Sequence, residues 1–157
     1  LPPWLPATDS AIMTNPILPH AVPTFTYADI PRFLNLFAYT CTATVAAAKG
    51  GAVSSWSVDL SRNYLAWGRR NLDLNQVGPR EHRVWRGDWL EFLQKHRELE
   101  FDLAYLGPPT YSTSKSAPTF DLQWDHPRLL QEVLERMAPG GVVYFGAPTR
   151  QFSLNAS

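Results

Sequence analysis

From Arg32 onward, short apolar runs alternate with segments whose apolar residues recur at helical spacing. Arg32 to Phe37 reads as a strand. Thr40 or Thr42 then caps a helix to about Lys49, which Gly50-Gly51 stops. Val53 to Val58 is a second strand and ends at Asp59. Ser61 suits the N-cap of a helix running to about Asn75, with Leu65, Gly68 and Leu72 on its inner face. After the turn Val77-Gly78-Pro79, His82 to Arg86 is a third strand, polar at its ends and so expected near the sheet edge. Asp88-Trp89-Leu90-Glu91 has capping-box spacing and opens a helix to about Arg97. Phe101 to Leu106 is a fourth strand and runs into Gly107-Pro108-Pro109. Thr110 to Gln123 reads as a loop rich in Ser and Thr. Pro127 suits the first position of a helix whose stripe is Leu130, Val133, Leu134 and Met137. Pro139-Gly140-Gly141 ends that helix, and Val142 to Phe145 is a fifth strand.

Strands alternating with helices predict an α/β fold, a parallel sheet with helices on both faces and right-handed crossovers. The pattern ends after the fifth strand, leaving an edge exposed unless something covers it. Residues 1–31 hold seven of the fourteen prolines. Proline at that density excludes regular helix and sheet interiors, so this part reads as an extended leader with a turn near Asn15-Pro16. Residues 32–157 form the domain. In such sheets ligands bind at the carboxyl ends of the strands. The Tyr39–Cys41 turn, Asp59, Asp88 and the Gly107–Pro109 turn all follow strands, and they should converge on one cleft.

Charge and composition narrow the function. Fourteen Lys and Arg balance fourteen Asp and Glu. Nothing pulls the whole chain toward nucleic acid, so any such contact needs a local patch or another domain. The lone cysteine, Cys41, permits no internal disulfide and fits a reducing, cytoplasmic compartment. No run approaches the roughly 20 apolar residues of a membrane span. The four histidines lack metal-ligand spacing, so no metal is expected. The first residue is not Met, which suggests a piece of a longer chain.

Asp59 lies about 20 residues beyond the first turn, where an acid accepts hydrogen bonds from ribose hydroxyls. It could instead only help Ser61 cap the next helix. Asp88 could meet an adenine amino group, with Trp89 beside the ring, or cap its own helix, or do both. Gly107-Pro108-Pro109 fixes backbone carbonyls that could hold a planar substrate. Tyr111 could stack on a base and Lys115 could meet a phosphate. Arg80, His82, Arg83 and Arg86 form a basic strip, read either as a solvated face or as an RNA contact. A nicotinamide-dependent oxidoreductase shares this strand, turn and acid logic, but no G-x-G-x-x-G occurs at the turn.

Phe33-Leu-Asn-Leu-Phe-Ala-Tyr-Thr, Ser57-Val-Asp-Leu-Ser-Arg-Asn-Tyr-Leu, Pro108-Pro-Thr-Tyr-Ser-Thr-Ser-Lys and Thr119-Phe-Asp-Leu-Gln-Trp-Asp-His add a sharper signal. With the order from Arg32 to Phe152, these segments resemble the class I S-adenosylmethionine-dependent rRNA methyltransferases. The closest likeness is to the guanine-N7 domain of the bifunctional 23S rRNA enzymes. The resemblance implies a Rossmann-like sheet, S-adenosylmethionine as cofactor, and 23S rRNA as partner with help from a further domain. It implies that Asn35, Phe37, Tyr39, Cys41 and Leu60 line the cofactor. Asp59 would take the ribose, Asp88 and Trp89 the adenine, Gly107, Pro108 and Pro109 the target base, and Tyr111 and Lys115 the substrate. Three departures stand out. The family has Gly where this chain has Cys41, so a side chain is expected to intrude on the methionine part, and a left-handed backbone there would cost on the order of 1–2 kcal/mol. It has Asp where this chain has Gly107, and Asn where this chain has Ala147 and Pro148. Loss of a carboxylate at 107 should hurt methylation of an exocyclic amine more than of guanine N7, which favours N7 over N2. A binding or scaffolding module that has lost catalysis is the alternative.

Overall fold

The computed structural model describes residues 10–14 and 32–154. Six strands form one sheet in the order β1-β8-β5-β2-β3-β4. These are β1 (Ser10–Thr14), β2 (Arg32–Leu36), β3 (Ser54–Asp59), β4 (His82–Arg86), β5 (Phe101–Leu106) and β8 (Met137–Gly146). All neighbours run parallel except β1, which lies antiparallel on β8. Helices α1 (Thr42–Lys49) and α2 (Arg62–Leu74) cover one face, and α3 (Trp89–Lys95) and α4 (Leu122–Leu134) the other.

The central strand shows why. Phe33 and Asn35 of β2 point toward α1, whereas Leu34 and Leu36 join the core under α3 and α4. A strand buried on both faces must be apolar on both, with any polar side chain hydrogen-bonded. Beneath α3, Phe92 packs its ring between Trp56 at 5.4 Å and Trp85 at 5.5 Å. His82 to Arg86 lies at the sheet edge, as its polar ends predict.

Four expectations change. The edge beyond β8 is covered by β1, with Ser10 opposite Gly146 and Thr14 opposite Val142. Residues 10–14 fall in the proline-free gap between Pro6 and Pro16, where the backbone keeps all its donors. The remainder of 1–31, including the expected turn at Asn15-Pro16, lies outside the described residues. Second, the Thr110–Gln123 loop contains a small hairpin of β6 (Tyr111–Ser112) and β7 (Phe120–Asp121), closed by Leu122 N donating to Thr110 O at 3.0 Å.

Third, α4 begins five residues before Pro127. Asp121 caps it, accepting from Gln123 N at 3.0 Å, so Pro127 sits inside the helix. A proline there cannot donate to the carbonyl four residues back. The buried His126 compensates: its Nδ1 lies 3.0 Å from Gln123 O and 2.9 Å from Leu122 O. Carbonyls only accept, so Nδ1 carries the hydrogen. Fourth, α4 ends at Leu134, before Pro139-Gly140-Gly141. That tripeptide forms a bulge inside β8, between the pairs Phe101–Met137 and Leu103–Val142, and Gly140 takes φ 78°. Met137 is still buried, but as a strand residue.

Candidate active site at the carboxyl ends of the strands

Because β2, β3, β4 and β5 are parallel, the turns that follow them share one side of the sheet. Backbone bonds tie these turns together. Ala38 N donates to Val58 O at 2.9 Å, Gly87 N to Asp59 O at 3.0 Å and Gly107 N to Leu36 O at 3.3 Å. Asp59 is the hub. Its Oδ2 accepts from Tyr39 N at 2.9 Å and its Oδ1 from Ser61 N at 2.8 Å. The carboxylate therefore joins the first turn to the start of α2. Each oxygen keeps a lone pair, so capping leaves room for a hydroxyl donor. Asp88 Oδ1 accepts from Leu90 N at 2.9 Å and Glu91 N at 3.2 Å. Its other oxygen makes no bond among the described residues. The expected box is half made, since Glu91 pairs with Lys95 at 2.6 Å.

The first turn is strained. Phe37, Tyr39 and Cys41 all have left-handed backbone, at φ 59°, 50° and 59°. Each costs on the order of 1–2 kcal/mol for a residue with a Cβ. Such outliers persist only where surrounding contacts hold them, and they gather at functional sites. Neither threonine caps α1. The N-cap is Cys41, with no side-chain cap bond.

The thiol of Cys41 does not intrude on the cleft. It is fully buried against α2, where a Cβ built on Gly68 would lie 2.5 Å from its Sγ. Glycine at 68 thus makes a notch for the side chain that glycine at 41 would have omitted. Burial pushes the thiol's pKa up, against a hydrogen bond from Ser57, so the sulfur stays protonated.

The remaining candidates divide. Asn35 is 1% exposed and sealed beneath α1, where its Nδ2 donates to Thr44 Oγ1 at 2.9 Å and Thr44 meets Ser57 Oγ at 2.6 Å. It holds helix to sheet and presents no surface to the cleft. Phe37 is half-buried with its ring 5.2 Å from Phe120. Trp89 is also buried, edge-on to Phe120 at 6.5 Å. Phe120 thus packs the hairpin against both turns. Tyr39 is 52% exposed and its ring meets Tyr64 of α2 at 4.3 Å. Leu60 is half-buried, with Arg86 Nε 3.5 Å from its carbonyl.

On the substrate side, Pro108 is buried and Pro109 half-buried. A Cβ at Gly107 would come 3.2 Å from the Tyr105 ring. Tyr111 and Lys115 are exposed on the hairpin. Ala147 is buried and Pro148 exposed, so neither offers a polar side chain. The basic strip is not continuous. His82 turns inward and its Nδ1 lies 2.9 Å from Ser55 Oγ, whereas Arg83 is exposed over the Trp56 ring at 5.3 Å. Among the described residues no three His, Cys, Asp or Glu side chains gather to hold a metal ion, and no helix is long and apolar enough to cross a membrane.

Tyr64, Phe120 and the Thr44–Ser57 pair were not legible beforehand. Periodicity marks which residues face inward, not which side chains meet across elements. Asp121, the N-cap of α4, is the signal that would have placed its start ahead of Pro127.

The family described as S-adenosylmethionine-dependent methyltransferase matches residues 25–149. The chain is 51% identical over 131 residues to the ribosomal RNA large subunit methyltransferase K/L of Chromohalobacter salexigens, covering 83% of this chain and 18% of that protein. It is 53% identical to the protein of the same name from Pseudomonas entomophila, covering 79% of this chain and 17% of that one. The chain thus spans under a fifth of the length of the curated relatives it matches. Among solved structures, the SAM-dependent methyltransferase from Agrobacterium tumefaciens is 28% identical with a TM-score of 0.65, covering 73% of this chain and 37% of that one. The protein SMU.776, crystallised with SAH, is also 28% identical, with a TM-score of 0.68, covering 73% of this chain and 30% of that one. With the parallel sheet, the turns joined through Asp59 and a family match over most of its length, this chain belongs to the S-adenosylmethionine-dependent methyltransferases.

Proposed function

We propose that this chain binds S-adenosylmethionine across the turns after β2, β3 and β4, and methylates a guanine of large-subunit rRNA at N7 in preference to N2. The observation that carries the reading is the pair of acids at adjacent strand ends, Asp59 and Asp88, each anchored by backbone N–H groups yet retaining acceptor capacity. Asp59 suits the ribose hydroxyls and Asp88 the adenine amino group, with Leu60 between them in the chain. Phe37, Tyr39 and the backbone of Cys41, in the first turn, would hold the methionine part. The cofactor, when bound, supplies a sulfonium methyl group for in-line displacement. Trp89 and Phe120, buried edge-on to each other behind the turns, would help exclude water there.

Pro108 and Pro109 present stiff backbone to a planar base, and Tyr111 and Lys115 offer a stacking ring and a cation beside it. N7 of guanine attacks through a lone pair and has no proton to lose. An exocyclic amine gains from a side-chain acceptor, and Gly107, Pro108 and Pro109 provide none. That is the support for N7 over N2.

Titration calorimetry with S-adenosylmethionine is the first test, and absence of heat at millimolar ligand would end this reading. Mass spectrometry of guanosines after incubation with 23S rRNA then distinguishes the positions. Gly107→Asp should raise N2 product relative to N7. An N2-only product from the unchanged protein would reverse the assignment.

A further inference from the structure

The neutral total hides a polarised surface. Helix α2 carries Arg62, Arg69 and Arg70 against one acid, Asp73, and Arg86 ends the neighbouring strand β4. That acid is engaged by Arg69 at 2.9 Å. Arg62, Arg70 and Arg86 are exposed and make no ion pair among the described residues. The other flank leans acidic: α4 carries Asp125 and Glu132 against Arg128, with Asp121 before it and Glu135 and Arg136 after it.

The outer face of α2 is also aromatic. Tyr64 is 42% and Trp67 57% exposed, and a groove of about 510 Å3 is lined by Asn63, Ala66, Trp67, Arg70, Asn71 and Leu74. These residues follow i, i+3, i+4, i+7, i+8, i+11, so they form one continuous stripe. The stripe leads to the first turn. Tyr64 packs on Tyr39, and Asn71 Nδ2 donates to Thr40 O at 2.9 Å.

We infer that this face of α2 is a docking surface for single-stranded RNA flanking the methylated nucleotide, an inference that rests on the function proposed above. An exposed ring one turn from an unpaired arginine suits a strand that offers base faces and phosphates in alternation. A hydrophobic protein partner would need a less charged centre to the patch. Trp67 supplies the stacking ring, and Arg70, one turn further along the same stripe, faces the backbone.

The test uses a fluorescein-labelled single-stranded RNA of mixed sequence, with anisotropy followed across salt concentration. Trp67→Ala should weaken binding about tenfold, and Trp67→Phe, which keeps a ring, should recover most of it. Arg70→Gln should lower the slope of log affinity against log salt by about 0.7. Trp124→Ala on the acidic flank, where the ring is 80% exposed, should change neither. Melting curves that match the unchanged protein show that the fold is kept. If the unchanged protein methylates and retains RNA while the α2 variants bind as it does, or if Trp124→Ala weakens binding equally, the docking surface is wrong and the function stands. If the unchanged protein neither retains nor methylates RNA, both fall.

Discussion

Replacement of Gly68 by Ala tests how the first turn is held. The new Cβ would lie 2.5 Å from Cys41 Sγ, 3.1 Å from Cys41 Cβ and 3.2 Å from Thr40 C. Carbon and sulfur normally approach no closer than about 3.5 Å, so the overlap is about 1 Å. The thiol has nowhere to retreat, since it is fully buried and its backbone sits at φ 59°. Overpacking of this kind costs about 1–3 kcal/mol. Alanine returns roughly 1 kcal/mol of helix propensity over glycine. The net expectation is a loss of about 1 kcal/mol. Cys41→Gly removes about 1–2 kcal/mol of backbone strain and loses a similar amount of packing, so it should be near neutral. In that background Gly68→Ala meets no sulfur and should stabilise by about 1 kcal/mol. The two changes should therefore couple by about 2 kcal/mol. Urea unfolding of both single variants and the double variant measures this. Additive effects, or a Gly68→Ala protein more stable than the parent, would refute the notch and the locked turn together.

Asp59→Ala should cost about 1–3 kcal/mol of stability, since two backbone donors lose their acceptor, and weaken S-adenosylmethionine binding beyond what Ser61→Ala does; equal binding by both would remove Asp59 from the cofactor site. Burial lowers the pKa of His82, so the unfolded chain takes up a proton before the folded one does. Stability should be full above about pH 6.5 and fall as pH drops below it, and His82→Gln should flatten that decline in urea midpoints measured across the range. His126→Ala should cost about 2–4 kcal/mol, from a buried ring and two carbonyls left without its N–H. Adding Pro127→Ala should recover about 1 kcal/mol by restoring a donor to Gln123, and no recovery would mean that His126 does not compensate for the proline.

Much of the architecture was legible in local chemistry. Ser61 and Asp88 cap the helices their spacing announced, accepting from Tyr64 N at 3.2 Å and Leu90 N at 2.9 Å. Runs such as Phe33 to Leu36 became central strands because a stretch apolar on both faces is stable only when covered on both. The order of turn, Asp59 and Asp88 followed, since parallel strands bring their carboxyl ends to one side. These features depend on near neighbours and on burial, which a chain carries in its own residue order.

The rest depended on contacts between residues far apart in the chain. Nothing near Cys41 says that its side chain will enter a notch at Gly68, twenty-seven positions later, rather than the cleft. Asn35 resembled a cofactor ligand by position, yet Thr44, itself held by Ser57, claims it under α1. Pro127 looked like a helix start until His126 supplied the donor that proline lacks. β1 closed an edge left open by the pattern, because an unpaired strand edge takes whatever proline-free segment can reach it. Sequence order set the elements, their direction and the acids at the strand ends; three-dimensional packing decided which side chains are buried beside them, because direction follows from what lies across the interface.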